Sequence, residues 1–440
     1  MAWILPKDRY SSLVSSFRAN HPLPMAIPRA ILGLAFFVFV SWCLSSRRDK
    51  FPLRVVLCGI GLQIVLAFIC LKTTAGAWFF GNVADFVGKL ISMTEPGTNL
   101  VFGGLNGFGE WGYAFAFASS GLTLIIFFSA LMSILYHIGV MQVLIHGLAR
   151  VMSVLMGVSG AESMAMAANV FVGQTEAPLV VKPYVPKMTK SELNAMMTGG
   201  FATIAGSVLA VYMGILGDEI GPHLLTASVM SAPAAFLIAK IMLPETEVSP
   251  TGAKVKLKVE RTASNVIEAA AIGTSDGVKL WLNVIAMLIA FMGLVALCDW
   301  PLESIGNQMG LEGGLSLQRI FGWAFAPVAW FMGVESWAEC QAMGSLLGTK
   351  IAVNEFVAFE TLKDLLAPAD GVSALGPKSA AMAAYALCGF ANFASVGIQI
   401  GGISPLAPER RGEISALALR AMLGGAFASW MTATVAGAFL

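Results

Sequence analysis

Acidic and amide side chains lie inside two otherwise apolar stretches of the sequence. In the first stretch, Val151–Val185, Gly173 is followed by Gln174, Thr175 and Glu176, which place an amide, a hydroxyl and a carboxylate in series. Such groups can hydrogen-bond a polar solute where water is scarce. An acid in an apolar segment is a functional candidate by default, although Glu176 could also be a structural cap on a broken helix.

The second stretch, Ile320–Phe359, contains Glu355. Two carboxylates from two facing segments could clasp a solute that carries several hydrogen-bond donors. Asn392 and Ser395 follow later and are three positions apart, which places them on one face of a helix. Hydrogen bonding between neighbouring helices is the alternative role for this pair.

Asn169 and Thr203 supply side-chain oxygens that could bind a metal ion. Side-chain oxygens of Asn and Thr, together with backbone carbonyls freed at helix ends, are the hard ligands that a sodium ion prefers. This requires the segment that carries Asn169 to pack on the helix that carries Thr203. The alternative is that the Thr203 hydroxyl bonds its own helix backbone.

The composition identifies a membrane protein. Of the 440 residues, 57% are hydrophobic and only 12% are charged, and the net charge is +1. There is no basic surplus that would bind nucleic acid. The six cysteines lack paired spacings, and we find no metal-ligand set or serine nucleophile motif, so we expect neither an enzyme nor an enzymatic cofactor. The polar residues 1–27 lack the design of a cleaved signal peptide, so we expect the first hydrophobic helix to be retained.

Segments without charge are long enough for about eight transmembrane helices. The predicted spans are Ala30–Ser46, Val55–Leu71, Trp111–Ala149 (one long helix with an interfacial piece), Leu193–Gly217, Ile220–Ala239, Leu280–Cys298, Ser379–Pro408 and Ala421–Leu440. The basic loop between the first two favours the cytoplasmic side.

The two interrupted stretches are predicted to be re-entrant helical hairpins, since neither half of either one spans a bilayer. Each is followed by two long spans, and one span between the copies inverts the second, which is typical of transporters. The fold class is therefore all-α integral membrane with inverted repeats. The predicted organisation is a polar N-terminal segment (1–27), N-terminal helices with an interfacial and a scaffold helix (28–150), a first repeat (151–243), a polar connector (244–279), a scaffold helix (280–300) and a second repeat (317–440).

The sequence resembles the concentrative nucleoside transporters in their shorter bacterial form. The resemblance covers about residues 75 to 438 and rests on four motifs: GQTEAPL at 173–179, GFATIAG at 200–206, NEFVA at 354–358 and CGFANF at 388–393. It implies a homotrimer in which each protomer has its own site between two hairpins and two partly unwound helices. It also implies a secondary active transporter in the bacterial inner membrane.

The resemblance also implies roles for individual residues. The nucleobase would face Gln174, Thr175 and Glu176, the ribose would be held by Glu355, Asn392 and Ser395, and the pocket would be lined by Val208 and Phe390. Sodium would bind the side chains of Asn169, Thr175 and Thr203 and the carbonyls of Val172 and Ile204. Gly173 stands where pyrimidine-preferring animal members carry serine, which leaves room for purines.

The expected function is nucleoside import by symport with sodium, with uridine, adenosine and their relatives as substrates. Proton coupling is the alternative, because proton-coupled members share most of these motifs. From the residues alone, a carrier of another small polar solute, a passive channel and an intramembrane enzyme with Glu176 and Glu355 as an acid/base pair also remain.

Overall fold

A computed structural model describes residues 26–102, 120–217, 220–250, 263–311, 314–366 and 373–440 of the chain. All regular secondary structure in these residues is helical, as the sequence predicts. In the N-terminal half the helices are α1 (Ala26–Cys43), α2 (Leu53–Lys72), α3 (Thr74–Ser92), α4 (Glu95–Phe102), α5 (Ser120–His137), α6 (Val140–Met156), α7 (Gly160–Asn169), α8 (Ala177–Val180), α9 (Lys190–Ala202), α10 (Gly206–Leu216) and α11 (Gly221–Met242).

The C-terminal half begins with one helix of 43 residues, about 65 Å long. Its helices are α12 (Val266–Gln308), α13 (Leu317–Met332), α14 (Trp337–Ala352), α15 (Glu355–Leu366), α16 (Pro377–Leu387), α17 (Phe393–Ile403) and α18 (Arg411–Phe439).

Four helices in the described part of the chain are long and apolar enough to cross a membrane: α2, α11, α12 and the helix that ends at Phe439. Burial separates them into inner and outer elements. In the most apolar 18-residue stretch of α11, 89% is buried inside the protein, whereas in the corresponding stretch of α12 only 6% is buried. The helix α11 therefore lies at the centre of the fold, while α12 presents its apolar side chains to the surroundings.

The long span predicted over residues 111–149 differs in the structure. Residues 111–119 lie outside the described residues, and the remainder forms α5 and α6, which meet at an angle of 77°. The break lies at Gly139, whose φ of +93° is in the left-handed region that favours glycine. The helix α6 then continues to Met156, so residues 151–156 do not belong to the first predicted hairpin.

The connector and the scaffold helix predicted over residues 244–300 also differ. The helix α12 starts at Val266, where the Asn265 side chain accepts a hydrogen bond from the backbone N–H of Glu268. No break separates residues 266–279 from the apolar part, so the last part of the predicted connector and the predicted scaffold helix are one element. Residues 251–262 of the predicted connector lie outside the described residues.

Two predicted spans are each divided in the middle. The span over residues 193–217 is broken between α9 and α10, and the span over 379–408 is broken between α16 and α17. These are the two partly unwound helices that the resemblance implies. The second interrupted stretch comprises α13, α14 and the start of α15, with turns after Met332 and Ala352.

A buried ion pair fixes the start of the first repeat. Ser159 and Glu162 form a capping box at the start of α7, and the Glu162 carboxylate also lies 2.7 Å from the Lys240 ammonium at the end of α11. The two side chains are 2% and 5% exposed, so neither charge is hydrated. A buried charge is tolerated only when it is paired or hydrogen-bonded, and this pair therefore ties α7 to the central helix α11.

We predict that Lys240→Met destabilises the protein by about 3–5 kcal/mol, because the Glu162 carboxylate would remain buried without its cation. Lys279→Met is the matched control, since the Lys279–Asp276 pair is 74% and 62% exposed and contributes at most about 1 kcal/mol. Calorimetric unfolding of the detergent-solubilised proteins measures both. Equal unfolding midpoints for the two variants would contradict the structural role of the buried pair.

Candidate functional site

The breaks in the two divided helices cross each other. Gly389 lies in the break between α16 and α17, and a Cβ atom at this position would be 2.7 Å from the carbonyl oxygen of Phe201, in the last turn of α9. Gly389 also has a φ of +143°, which side-chain-bearing residues rarely adopt. Glycine at position 389 therefore allows the backbones of the two unwound segments to pack directly against each other.

Glu355 lies at the start of α15 and faces this crossing. The Tyr212 hydroxyl donates to its Oε1 at 2.9 Å, and the Asn392 side-chain amide donates to its Oε2 at 2.9 Å. Asn392 in turn caps α17, since its Oδ1 accepts from the backbone N–H of Ser395 at 2.8 Å. The structure thus brings together Glu355, Asn392 and Ser395, the three residues that the sequence analysis assigns to one group.

Tyr212 was not singled out by the sequence analysis. It lies on α10, fully buried, and its ring stacks on Phe359 with a centroid separation of 4.3 Å. The available signal is its spacing, since it follows the predicted pocket residue Val208 by four positions and so lies on the same helix face. Val208 is itself buried on α10, whereas Phe390 is partly buried in the second break.

Lys350, near the end of α14, is a second residue whose role the sequence did not reveal. Its side chain is fully buried and donates to the Ala386 carbonyl at 2.8 Å and to the Ser429 hydroxyl at 2.9 Å. Ala386 is in the last turn of α16, directly before the break. The ammonium group therefore satisfies a carbonyl that the break leaves free, and it joins α14, α16 and α18.

The first interrupted stretch supplies a separate cluster. Residues 170–176 form turns between α7 and α8, with the backbone N–H of Ala177 donating to the Gly173 carbonyl at 3.0 Å. A Cβ atom on Gly173 would collide with the Glu176 carboxylate, which therefore lies over the turn. Gln174 is buried and its Oε1 has no hydrogen-bond partner.

Helix α17 packs on this turn. A Cβ atom on Gly402 would be 2.7 Å from the Thr175 Cγ2, and the Gln174 Cβ lies close to Gly200 of α9. Gln174 and Thr175 thus lie between the two divided helices. The described contacts place Glu176 with Gly173 and Glu355 with Tyr212 and Asn392, so the two acids belong to two distinct clusters.

Asn169 and Thr203, two of the predicted sodium ligands, meet at Gly199. The Asn169 amide donates to the Met196 carbonyl at 3.5 Å, and its nitrogen is 3.2 Å from the position of a Cβ on Gly199. The Thr203 hydroxyl donates to the Gly199 carbonyl at 2.9 Å, which is the backbone bond expected of a threonine at a helix end.

Both oxygens keep acceptor capacity at this point. The Asn169 Oδ1 is buried and has no hydrogen-bond partner, and the Thr203 hydroxyl retains lone pairs while it donates. An unpartnered buried oxygen is destabilising unless a donor or a cation binds it. The chemistry of these two oxygens therefore fits a hard cation such as sodium.

Comparisons with known proteins show the family. Three family models match: the N-terminus of Na+-dependent nucleoside transporters at residues 32–105, a nucleoside recognition (gate) domain at 119–219, and the C-terminus of Na+-dependent nucleoside transporters at 223–437. An uncharacterized transporter of Haemophilus influenzae is 44% identical over 94% of this chain and 98% of its own length.

A sodium/nucleoside cotransporter is also similar. Sodium/nucleoside cotransporter 1 of Mus musculus is 39% identical over 92% of this chain, which spans 62% of the mouse protein's length.

Solved structures of CNTnw match the whole fold. The inward-facing substrate-bound state superimposes with a TM-score of 0.87 at 39% identity, covering 94% of this chain and 98% of CNTnw. A CNTnw double variant in an outward-facing state gives 0.86 at 38% identity, with the same coverage. With three family models in the expected order and relatives well above 30% identity along nearly its full length, this chain belongs to the Na+-dependent concentrative nucleoside transporter family, a family of membrane transporters and not of enzymes.

Proposed function

We propose that this protein imports nucleosides by symport with sodium. The observation that carries the proposal is the Glu355 carboxylate. Each of its oxygens accepts one hydrogen bond from the protein, from Tyr212 and from Asn392. An ionised carboxylate has about four acceptor sites, so two remain for a ligand. The vicinal 2′- and 3′-hydroxyls of a ribose present two donors, and we assign the Ser395 hydroxyl to the same ribose.

The nucleobase is assigned to the turn between α7 and α8. Gln174, Thr175 and Glu176 supply an amide, a hydroxyl and a carboxylate there, and Val208 and Phe390 supply apolar contacts. Glycine at position 173 leaves the Glu176 carboxylate lying over the turn, where a side chain at 173 would displace it. The family resemblance implies purine nucleosides as well as uridine, and we include adenosine among the substrates.

Sodium is the coupling cargo in this proposal, held by Asn169, Thr175, Thr203 and the carbonyls of Val172 and Ile204. Asn169 and Gln174 are separated by only five positions in one turn-rich segment. Ion binding at Asn169 and Thr203 would therefore order the segment that receives the base. This arrangement favours binding of sodium first and of nucleoside second.

Transport then requires the site to face each side of the membrane in turn. Structures of CNTnw in inward-facing and outward-facing states support such alternating access. The moving part would comprise the two interrupted stretches with the helices that follow them. The driving force is the sodium gradient together with about 2.3 kcal/mol per charge per 100 mV of membrane potential. We place the protein in the bacterial inner membrane as a homotrimer with one site in each protomer.

Uptake of radiolabelled uridine into proteoliposomes under an imposed sodium gradient tests the proposal. We predict that Glu355→Gln lowers Vmax/KM by roughly 10- to 100-fold, because the charged acceptor of the ribose hydroxyls is lost. Glu360→Gln is the matched control on the same helix, since Glu360 is 33% exposed and faces Lys363 at 3.9 Å. This control is expected to transport like the wild type.

Other outcomes of the same experiment separate the alternatives. Accumulation driven by a proton gradient alone would retain the nucleoside assignment and refute sodium coupling. The absence of uridine and adenosine uptake under both gradients would refute nucleoside transport and leave a carrier of another small polar solute. Wild-type uptake by Glu355→Gln would refute the ribose assignment.

Tyr212→Phe is predicted to raise the KM for uridine by roughly 3- to 10-fold. The substitution removes the hydroxyl that positions Glu355, and it retains the ring that stacks on Phe359. Tyr385→Phe is the matched control, since this buried tyrosine places its hydroxyl 3.3 Å from His223 instead. If both variants change KM equally, the Tyr212 hydroxyl has no specific part in holding the acid.

A further inference from the structure

Gln399 on α17 is a fully buried amide that none of the preceding assignments uses. Its Nε2 donates to the Met197 carbonyl of α9 at 2.9 Å, whereas its Oε1 has no hydrogen-bond partner. The backbone carbonyl of Met197 can only accept, so it fixes which end of the amide faces α9. The amide oxygen is therefore directed away from Met197 and is left unsatisfied in a buried position.

The surroundings of Gln399 connect it to the segment assigned to the nucleobase. A Cβ atom on Gly200 would contact both the Gln399 amide nitrogen and the Gln174 Cβ, so the two glutamines meet at this glycine. Three positions after Gln399, and thus on the same face of α17, Gly402 contacts Thr175. Ser395, assigned to the ribose, precedes Gln399 by four positions on that face.

The two side chains that meet at Gly200 each carry a buried acceptor oxygen without a hydrogen-bond partner. Gln174 Oε1 comes from the turn after α7, Gln399 Oε1 comes from α17, and neither has a hydrogen-bond partner. A buried acceptor without a donor is destabilising, and a pair of them favours a ligand that carries N–H donors. A nucleobase with an exocyclic amino group provides two such donors on one atom.

We propose that Gln399 is a specificity-determining residue whose amide oxygen accepts a hydrogen bond from the exocyclic amine of the nucleobase. This inference rests on the proposed nucleoside transport. It extends the nucleobase site from the turn after α7 to α17, the second half of the divided helix that α16 and α17 form. It predicts that amine-bearing nucleosides bind better than analogues without the amine.

The test compares adenosine with purine riboside, which differ only in the 6-amino group, as inhibitors of radiolabelled uridine uptake into proteoliposomes. For the wild type we expect adenosine to have an inhibition constant roughly 3- to 10-fold lower than that of purine riboside. Gln399→Leu is expected to lower the ratio of the purine riboside inhibition constant to the adenosine inhibition constant by roughly twofold or more, because only the Gln174 oxygen would remain to accept from the amine. The inhibition constant of purine riboside is expected to stay unchanged. Gln399→Met, which keeps the length of the side chain, is expected to behave in the same way.

Gln142→Leu is the matched control. Gln142 on α6 also donates through Nε2 to a backbone carbonyl, that of Tyr136 at 2.7 Å, and its Oε1 also has no partner. This variant is expected to keep the wild-type ratio, because α6 contributes no residue to the proposed site.

Three results would overturn the inference. The first is equal inhibition constants of adenosine and purine riboside for the wild type. The second is a wild-type preference for adenosine that both Gln399 variants retain in full. The third is an unchanged preference together with an altered sodium dependence of uptake, which would make Gln399 Oε1 an ion ligand. Because the wild-type ratio needs no variant, the first result stands even if substitutions at Gln399 prevent folding. The absence of any nucleoside uptake by the wild type would instead refute the proposed function, and this inference with it.

Discussion

Backbone groups that lose their helical partners in an apolar environment must be satisfied by other groups, and the whole site follows from this constraint. Where α10 begins, the N–H of Gly206 donates to the Phe171 carbonyl at 3.0 Å, which joins the first divided helix to the turn after α7. At the second break, Asn392 caps α17 and Lys350 binds the end of α16. Asn392 thus both caps the backbone at the second break and belongs to the proposed ribose site, whereas Lys350, which is assigned to no ligand, supports the end of α16.

Buried charge is handled in the same way. The Glu355 carboxylate has two neutral donors, and the Lys350 ammonium has a carbonyl and a hydroxyl as acceptors. Neither charge is cancelled by a direct ion pair of the kind that Glu162 and Lys240 form. A direct pair would fill the acceptor sites of the carboxylate, whereas neutral donors leave some of them open. This difference separates a structural acid from one that can receive a polar solute.

The sequence is most informative where a residue type is out of place in its surroundings. Glu355 and Asn392 stood out as an acid and an amide in apolar stretches, the family resemblance assigned them to one group, and the structure shows a hydrogen bond between them. Four motifs identified the family. The sequence alone did not reveal Tyr212 or Gln399, because a tyrosine and a glutamine in apolar helices resemble ordinary packing residues until the contacts across helices are known. The boundaries of α6 and α12 were also wrong, since hydropathy does not show where one helix continues past the apolar region.

Proposed symport requires that sodium binding and nucleobase binding be coupled. Calorimetric titration of uridine into the detergent-solubilised protein, in sodium and in choline, measures this coupling directly. We expect sodium to tighten uridine binding by roughly 5- to 150-fold and uridine to tighten sodium binding by the same factor. Thr203→Val should abolish the effect, whereas Thr198→Val, a buried threonine of the same helix, should preserve it. Equal uridine affinity of the wild type in sodium and in choline would contradict the account.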